Sequence, residues 1–448
     1  MTEETSYFGA GAGAAVRPQW RSTAAALFFA LTGCLVATAI VNVGQSGIAL
    51  FYLVFLVPLV ALVAPKHLFH HRLDRPSVLL MAFTAVMFLL LWLVTLLQLM
   101  LVPNLPDGEV VHFVSRLAFL AYFVIVQQCL RGRVLEKTLI WLRRILIFLF
   151  AYGIYQLPAK LLGWPLFLDW LRNDRSFSFY QFDTAGWVGI MRATSVFAEP
   201  GQAAVPIVIL FILNIGFRGG WFSKFLGWTV LLLFTTLTFS RTAWVVLFVA
   251  AITVALLRIR AVRRTVESHR LAMAVACCLA IVLLPAWAYV VAGHSTDESE
   301  AARSQSVIAG VHMVANRPIL GGGWNSFEER AARYDLEVPA AAGNLSFLHN
   351  MVLSYAQQAG IAGLLLAIFP FAVILGWSSS APWVTYATLT SFLIGAELGG
   401  DIAYSPLIWL WLALMIQGGE SWLAEDPNHR FAFSPGKGRI TSGGQELA

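Results

Sequence analysis

Apolar runs close to twenty residues long recur from one end of this chain to the other, and nothing else in the sequence constrains its fold as strongly. A bilayer's hydrocarbon core requires about 20 apolar residues per helical span. Of 448 residues, 58% are hydrophobic and 12% are charged. A soluble domain carries roughly 25% charged residues. The apolar/polar alternation of an outer-membrane barrel is missing. The expected fold class is therefore all-α: a polytopic integral membrane protein with about twelve transmembrane helices.

The spans are expected near 22–43, 47–64, 78–100, 110–130, 138–157, 200–217, 222–239, 241–257, 271–292, 350–377, 382–398 and 402–418. Residues 1–21 and 424–448 are polar tails around a transmembrane domain at 22–423. The run after the first tail is long enough to remain as a helix, so no cleaved signal is expected. Basic residues collect in every second loop: Lys66, Arg72 and Arg75; Arg131, Arg133 and Lys137; Arg218 and Lys224; Arg258, Arg260, Arg263, Arg264 and Arg270. The positive-inside rule makes those loops cytoplasmic and puts both termini there. Topology also accounts for the net charge of +6, so no nucleic-acid partner is expected. Cys34, Cys129, Cys277 and Cys278 lie in apolar runs and read as packing residues.

Two long loops, about 158–199 and 293–349, then fall on the non-cytoplasmic side. Ser295 and Glu298 form a capping-box pattern, and Val307, Ile308, Val311 and Val314 follow at helical spacing. Arg317-Pro318 ends that pattern and Gly321-Gly322-Gly323 permits a turn. A short surface helix, a turn and a descent into the next span at His349 are expected.

The same side collects Arg192, Glu199, Arg241, Arg303, Arg317, His349 and Asn350. Outward arginines run against the positive-inside trend. Arginine's planar fork binds a phosphate or diphosphate bidentately, and it also pairs with loop carboxylates or lipid headgroups. Arg192 and Arg241 each flank a membrane-entry point, where a lipid phosphate would sit. His349 near a helix N-terminus is held neutral by the dipole and can take a proton from a hydroxyl; it can equally be a hydrogen-bonded interfacial histidine. Glu199 can be a base, an acceptor-binding group or a helix cap beside Pro200. Asn350, Ser354 and Gln357 make one polar stripe that reads as interhelical contact. His112, Arg116, Glu397 and Asp401 are weaker intramembrane candidates. No phosphate-binding glycine loop and no zinc pattern is present, so neither metal nor other cofactor is expected.

Taken in order, these pieces resemble the O-antigen ligase and O-antigen polymerase superfamily of bacterial envelope glycan assembly. The resemblance rests on Arg192-x-x-Ser-x-Phe-x-Glu-Pro200, Ser240-Arg-Thr-Ala-Trp244, the run from Arg303 through Arg317-Pro318 to Gly321 and Gly323, His349-Asn350 and Gly360. It implies an inner-membrane glycosyltransferase whose donor is an undecaprenyl-diphosphate-linked glycan, acting without metal or ATP at the periplasmic face. Arg192 and Arg241 would hold the diphosphate, and His349 would assist the acceptor hydroxyl with inversion. Arg303 would support the phosphate site or the donor sugar. Arg317, Glu199 and Asn350 complete the candidate substrate-binding set. The Phe-Ala-Glu-Pro-Gly stretch leans towards polymerases of repeat units or exopolysaccharide, and a lipid A–core acceptor would make the chain a ligase. Membrane lipids and envelope assembly proteins are the other partners expected. A transporter or flippase with the same arginines along its path, and a scaffold, are the readings of other classes. Visible repeats would favour a transporter, and none is evident.

Overall fold

The computed structural model describes residues 19–34, 39–43, 46–49, 75–102, 109–130, 133–168, 192–197, 200–217, 219–269, 298–324, 350–377, 382–399 and 406–419, with isolated positions at 272, 276, 279, 326, 327, 330 and 348. The architecture there is helical apart from one short hairpin. The helices are α1 (Gln19–Cys34), α2 (Arg75–Leu101), α3 (Glu109–Cys129), α4 (Arg133–Leu162), α5 (Ala204–Gly216), α6 (Trp221–Leu237), α7 (Arg241–Arg258), α8 (Arg260–Ser268), α9 (Glu298–Asn316), α10 (Met351–Trp377), α11 (Pro382–Gly399) and α12 (Pro406–Leu414). A 3₁₀ turn at Pro200–Ala203 leads into α5, and a π turn at Met415–Gly419 closes α12.

Among the described residues, Ala82–Leu101, Arg133–Leu162, Arg241–Arg258 and Met351–Phe369 are long and apolar enough to cross a membrane. Ser22–Cys34, Leu117–Cys129, Ala204–Gly216, Trp221–Leu237 and Pro406–Gln417 are shorter apolar helices. The helical, apolar character expected of a membrane protein is thus present, and among the described residues four of the twelve expected spans coincide with helices of full spanning length. Residues 39–49 differ from expectation. Strands β1 (Ala39–Val43) and β2 (Ser46–Ala49) pair antiparallel, Val43 opposite Ser46, where the end of one span and the start of the next were expected. Ile40, Val41 and Val43 suit extended backbone, and glycines at 44 and 47 flank the reversal. Most of the expected spans 47–64 and 271–292 lies outside the described residues.

Helices that are apolar on every side belong in the interior. Accordingly α12 buries every residue and α5 buries all but Ile215. Helix α12 packs on α1 and α3, and α5 packs on α6, α7 and α11. Helix α7 also lies along α11, where the hydroxyls of Thr253 and Thr390 meet at 3.4 Å. By contrast α8 is polar and buries nothing, as the basic loop expected there requires. Its Arg263–Glu267 ion pair is exposed and adds little stability.

Two groups of polar side chains lie towards opposite ends of α4. At one end Lys137 of α4 donates to the hydroxyls of Ser22 and Thr23 of α1, both at 2.8 Å. Near it Arg143 of α4 is buried. Its Nε donates to Asn214 Oδ1 of α5 at 2.9 Å, and its two Nη atoms donate to the hydroxyl and carbonyl of Ser223 of α6. The Phe217 ring covers the guanidinium at 3.8 Å. Thirteen residues further along α4, or about 20 Å at 1.5 Å per residue, Gln156 begins the second polar group, which holds the candidate site.

Arg143 fits because Gly227 faces it. A Cβ there would lie 2.4 Å from Asn214 Oδ1 and 2.5 Å from Arg143 Nη2. Gly227→Ala is expected to destabilise the protein by about 1–3 kcal/mol through overpacking. Thermal melting in detergent checks this, with Gly220→Ala as the silent control, since nothing lies within 4 Å of a Cβ there.

Candidate functional site

Residues 192–197 leave the helical path and fold against the α6–α7 turn. Arg192 donates from Nε to the Thr238 carbonyl and from Nη2 to the Phe239 carbonyl, both at 2.9 Å. The amide of Ala193 donates to the Leu237 carbonyl at 2.9 Å. These are terminal carbonyls of α6, which lack partners within the helix. Two strained residues mark the place: Ser195 has φ +56° and Phe239 has φ +46°. Gln156 holds the first, its Oε1 accepting from the Ser195 amide at 2.7 Å and its Nε2 donating to the Ser195 carbonyl at 2.8 Å. The Ser195 hydroxyl donates to the Leu149 carbonyl.

The turn leads directly into α7. Ser240 is its N-cap, accepting from the Ala243 amide at 3.3 Å, and Arg241 is its first residue. Arg241 is exposed and Arg192 is half-buried. The Arg192 guanidinium is thus held on the turn that opens α7, and Arg241 begins that helix, where the dipole already favours negative charge. Arginine forks beside a positive helix end suit a diphosphate.

The second group lies where α9 ends. Helix α9 buries Ser306, Val307, Ala309 and Met313, and Met313 packs with Phe327, Leu348 and Leu353. Of the expected stripe, Val311 and Val314 are partly buried against this cluster. Asn350 is buried and caps α10, its Oδ1 accepting from the Leu353 amide at 2.8 Å. Helix α10 is broken after two turns: Ala359 and Gly360 have non-helical dihedrals, Gly360 with φ +57°. The glycine loop repairs the break. Gly322 donates its amide to the Gln357 carbonyl at 2.7 Å and Gly323 donates to the Gln358 carbonyl at 3.0 Å. The approach is so close that a Cβ on Gly321 would lie 2.5 Å from the Gln358 carbonyl oxygen. Ser326 donates to the Gly323 carbonyl at 2.8 Å and meets Gln357 Oε1 at 3.3 Å. A Cβ at Gly322 would lie 3.2 Å from Arg330 Nε, so Arg330 lies over this loop.

Of the residues expected in the site, the structure joins Arg192 and Arg241 through the Thr238–Ser240 turn. Asn350 sits at the head of α10, and Arg317 closes α9, its carbonyl accepting from the Gly321 amide at 2.9 Å. Arg303 falls within α9, and its side chain is not among those described. His349 and Glu199 lie outside the described residues, as does Ser295 of the expected capping box. Sequence reasoning missed Gln98, Gln156 and Arg330. A lone amide in an apolar run was the only available signal for the first two.

Residues 226–368 match the O-antigen ligase family model. The match supports the superfamily resemblance carried by the motifs. It runs from within α6 into α10, so it takes in Ser240-Arg241, the glycine loop and the α10 break, while Arg192 precedes it. No curated protein matches the chain.

Gly360, inside the matched segment, has no room for a side chain. A Cβ there would lie 2.1 Å from the Ile319 carbonyl oxygen on a backbone of positive φ. Gly360→Ala is expected to cost more than about 3 kcal/mol. Size-exclusion profile and melting temperature of the purified variant provide the test.

Proposed function

We propose that this chain transfers a glycan from an undecaprenyl-diphosphate-linked donor to an acceptor hydroxyl at the periplasmic face, joining repeat units of O-antigen or exopolysaccharide. The O-antigen ligase family suggests glycan transfer of the ligase or polymerase type by an integral inner-membrane protein. The observation that supports the finer reading is that Arg192 is bound to the turn that leads directly into Arg241 at the start of α7. Such a site stabilises charge that develops on a leaving group.

In this reading the acceptor oxygen attacks the anomeric carbon and the bond from that carbon to the diphosphate breaks. The diphosphate departs with the electron pair, held by Arg241 and Arg192. His349 takes the hydroxyl proton, and the anomeric configuration inverts. The arginines supply the positive charge that a metal would otherwise bring, so turnover should survive EDTA. Arg303, Arg317 and Glu199 are assigned to the donor and acceptor sugars, with Asn350 shaping the α10 end beside His349. The family's description as a ligase favours a second acceptor, lipid A–core.

Purified protein in nanodiscs, given a lipid-diphosphate-linked repeat unit with EDTA present, separates the readings. A ladder of longer lipid-linked glycans without lipid A–core marks a polymerase; product only with lipid A–core marks a ligase. No product with either acceptor, alongside substrate movement across the bilayer, sinks the transferase in favour of a transporter. Within the transferase, Arg241→Ala should lower turnover by about 10²–10³-fold. Arg241→Lys should lower it at least about tenfold, because a point charge cannot reproduce the fork. Both should fold normally, as Arg241 is exposed. Arg192→Ala is the less clean test, since it also releases two carbonyls of the α6–α7 turn.

A further inference from the structure

Gln98 lies on α2, outside the matched segment, and is fully buried. Its Nε2 donates to the Gln358 carbonyl at 2.6 Å and also to the Leu320 carbonyl. One carboxamide thus uses both of its N–H hydrogens to bridge the glycine loop and the break in α10. Two carbonyl partners also fix which end of the amide is nitrogen. Thr95, three residues earlier on the same helix, accepts from Trp324 Nε1 at 3.0 Å. Helix α2 therefore touches the loop on both sides of Gly321–Gly323 through polar bonds, although it is otherwise apolar.

Broken membrane helices commonly leave carbonyls to coordinate ions. Here the Gln357 and Gln358 carbonyls accept from Gly322, Gly323 and Gln98, so the break is closed by protein donors. What the break determines is direction. The two turns from Met351 to Gln358, headed by Asn350, depart from the axis of the rest of α10. Their aim depends on the contact with the loop, which Gln98 locks from the side.

We infer that Gln98 is a positioning residue: by tying Leu320 to Gln358 it fixes the angle of the α10 head that opens at Asn350, and with it the geometry in which the proposed site meets the donor. The kinetic part of this inference rests on the transferase reading above; the structural part does not. In water-poor surroundings a hydrogen bond of this kind has few substitutes. Small misplacements of a catalytic group cost turnover more than binding.

The test uses the full-length protein in nanodiscs, with Gln98→Met and Gln98→Glu. Methionine keeps the size and removes both donors. Glutamic acid in its neutral form keeps one. Hydrogen exchange at the Gly322 and Gly323 amides should quicken at least tenfold in Gln98→Met and less in Gln98→Glu. With the lipid-linked donor, kcat should fall at least tenfold in the methionine variant, with KM within twofold. The glutamate variant should lie between it and the natural protein. Unchanged exchange in Gln98→Met overturns the clamp, as does equal impairment of the two variants. A loss confined to KM overturns the positioning role. Should Gln98→Met fail to insert, exchange in Gln98→Glu decides alone: faster supports the clamp, unchanged overturns it. If the natural protein transfers no glycan, faster exchange still supports the clamp while the transferase reading falls.

Discussion

A peptide carbonyl within a bilayer has no water to turn to, and the candidate site is built from solutions to that problem. Each irregular stretch frees backbone groups, and each is met by a specific side chain or loop amide. Arg192 closes the end of α6, Gln156 holds the strained Ser195, and Gln98 with two glycine amides closes the break in α10. Strain and exposed polarity of this kind gather where a membrane protein must present charge to a water-soluble group. The chemistry attributed to Arg241 depends on the same turn, because the residue that starts α7 goes wherever Thr238 and Phe239 are held.

Arg192 has a double character as a result. Its fork is partly committed to carbonyls, and it carries a full charge next to the positive end of α7. A residue that supports a turn and charges it at once resists replacement by any other cation. In the proposed site Arg241 would meet the anion from a turn that Arg192 helps to hold, the kind of preorganisation that spares a site from reorganising during reaction.

Much of this was legible in the sequence, and the reasons for the rest are physical. Apolar runs foretold helices, because a span must be both long and dry. The turn at Gly321–Gly323 announced itself through a residue type with few other uses. Of the stripe through Asn350, Ser354 and Gln357, Gln357 meets Ser326 of another segment, whereas Ser354 accepts from Gln358 and Asn350 from Leu353 within their own helix. Gln98 and Gln156 could not be read, since an isolated glutamine in an apolar run does not disclose which backbone it faces. The break at Gly360 was hidden for a related reason. Glycine is common in membrane helices, and only the nearby Ile319 carbonyl shows that no side chain would fit. The hairpin at 39–49 lay within apolar sequence whose β-branched residues suit either structure.

Arg143 also bears on how the chain is made. A charged side chain inside a membrane helix is costly to insert without partners. The groups that relieve that cost, Asn214 and Ser223, follow 71 and 80 residues later in the chain. Helix α4 therefore emerges from the ribosome before its partners exist. Its stable lodging in the bilayer waits on the α5–α6 pair, so biogenesis must hold an incomplete helix at the translocon until that hairpin arrives.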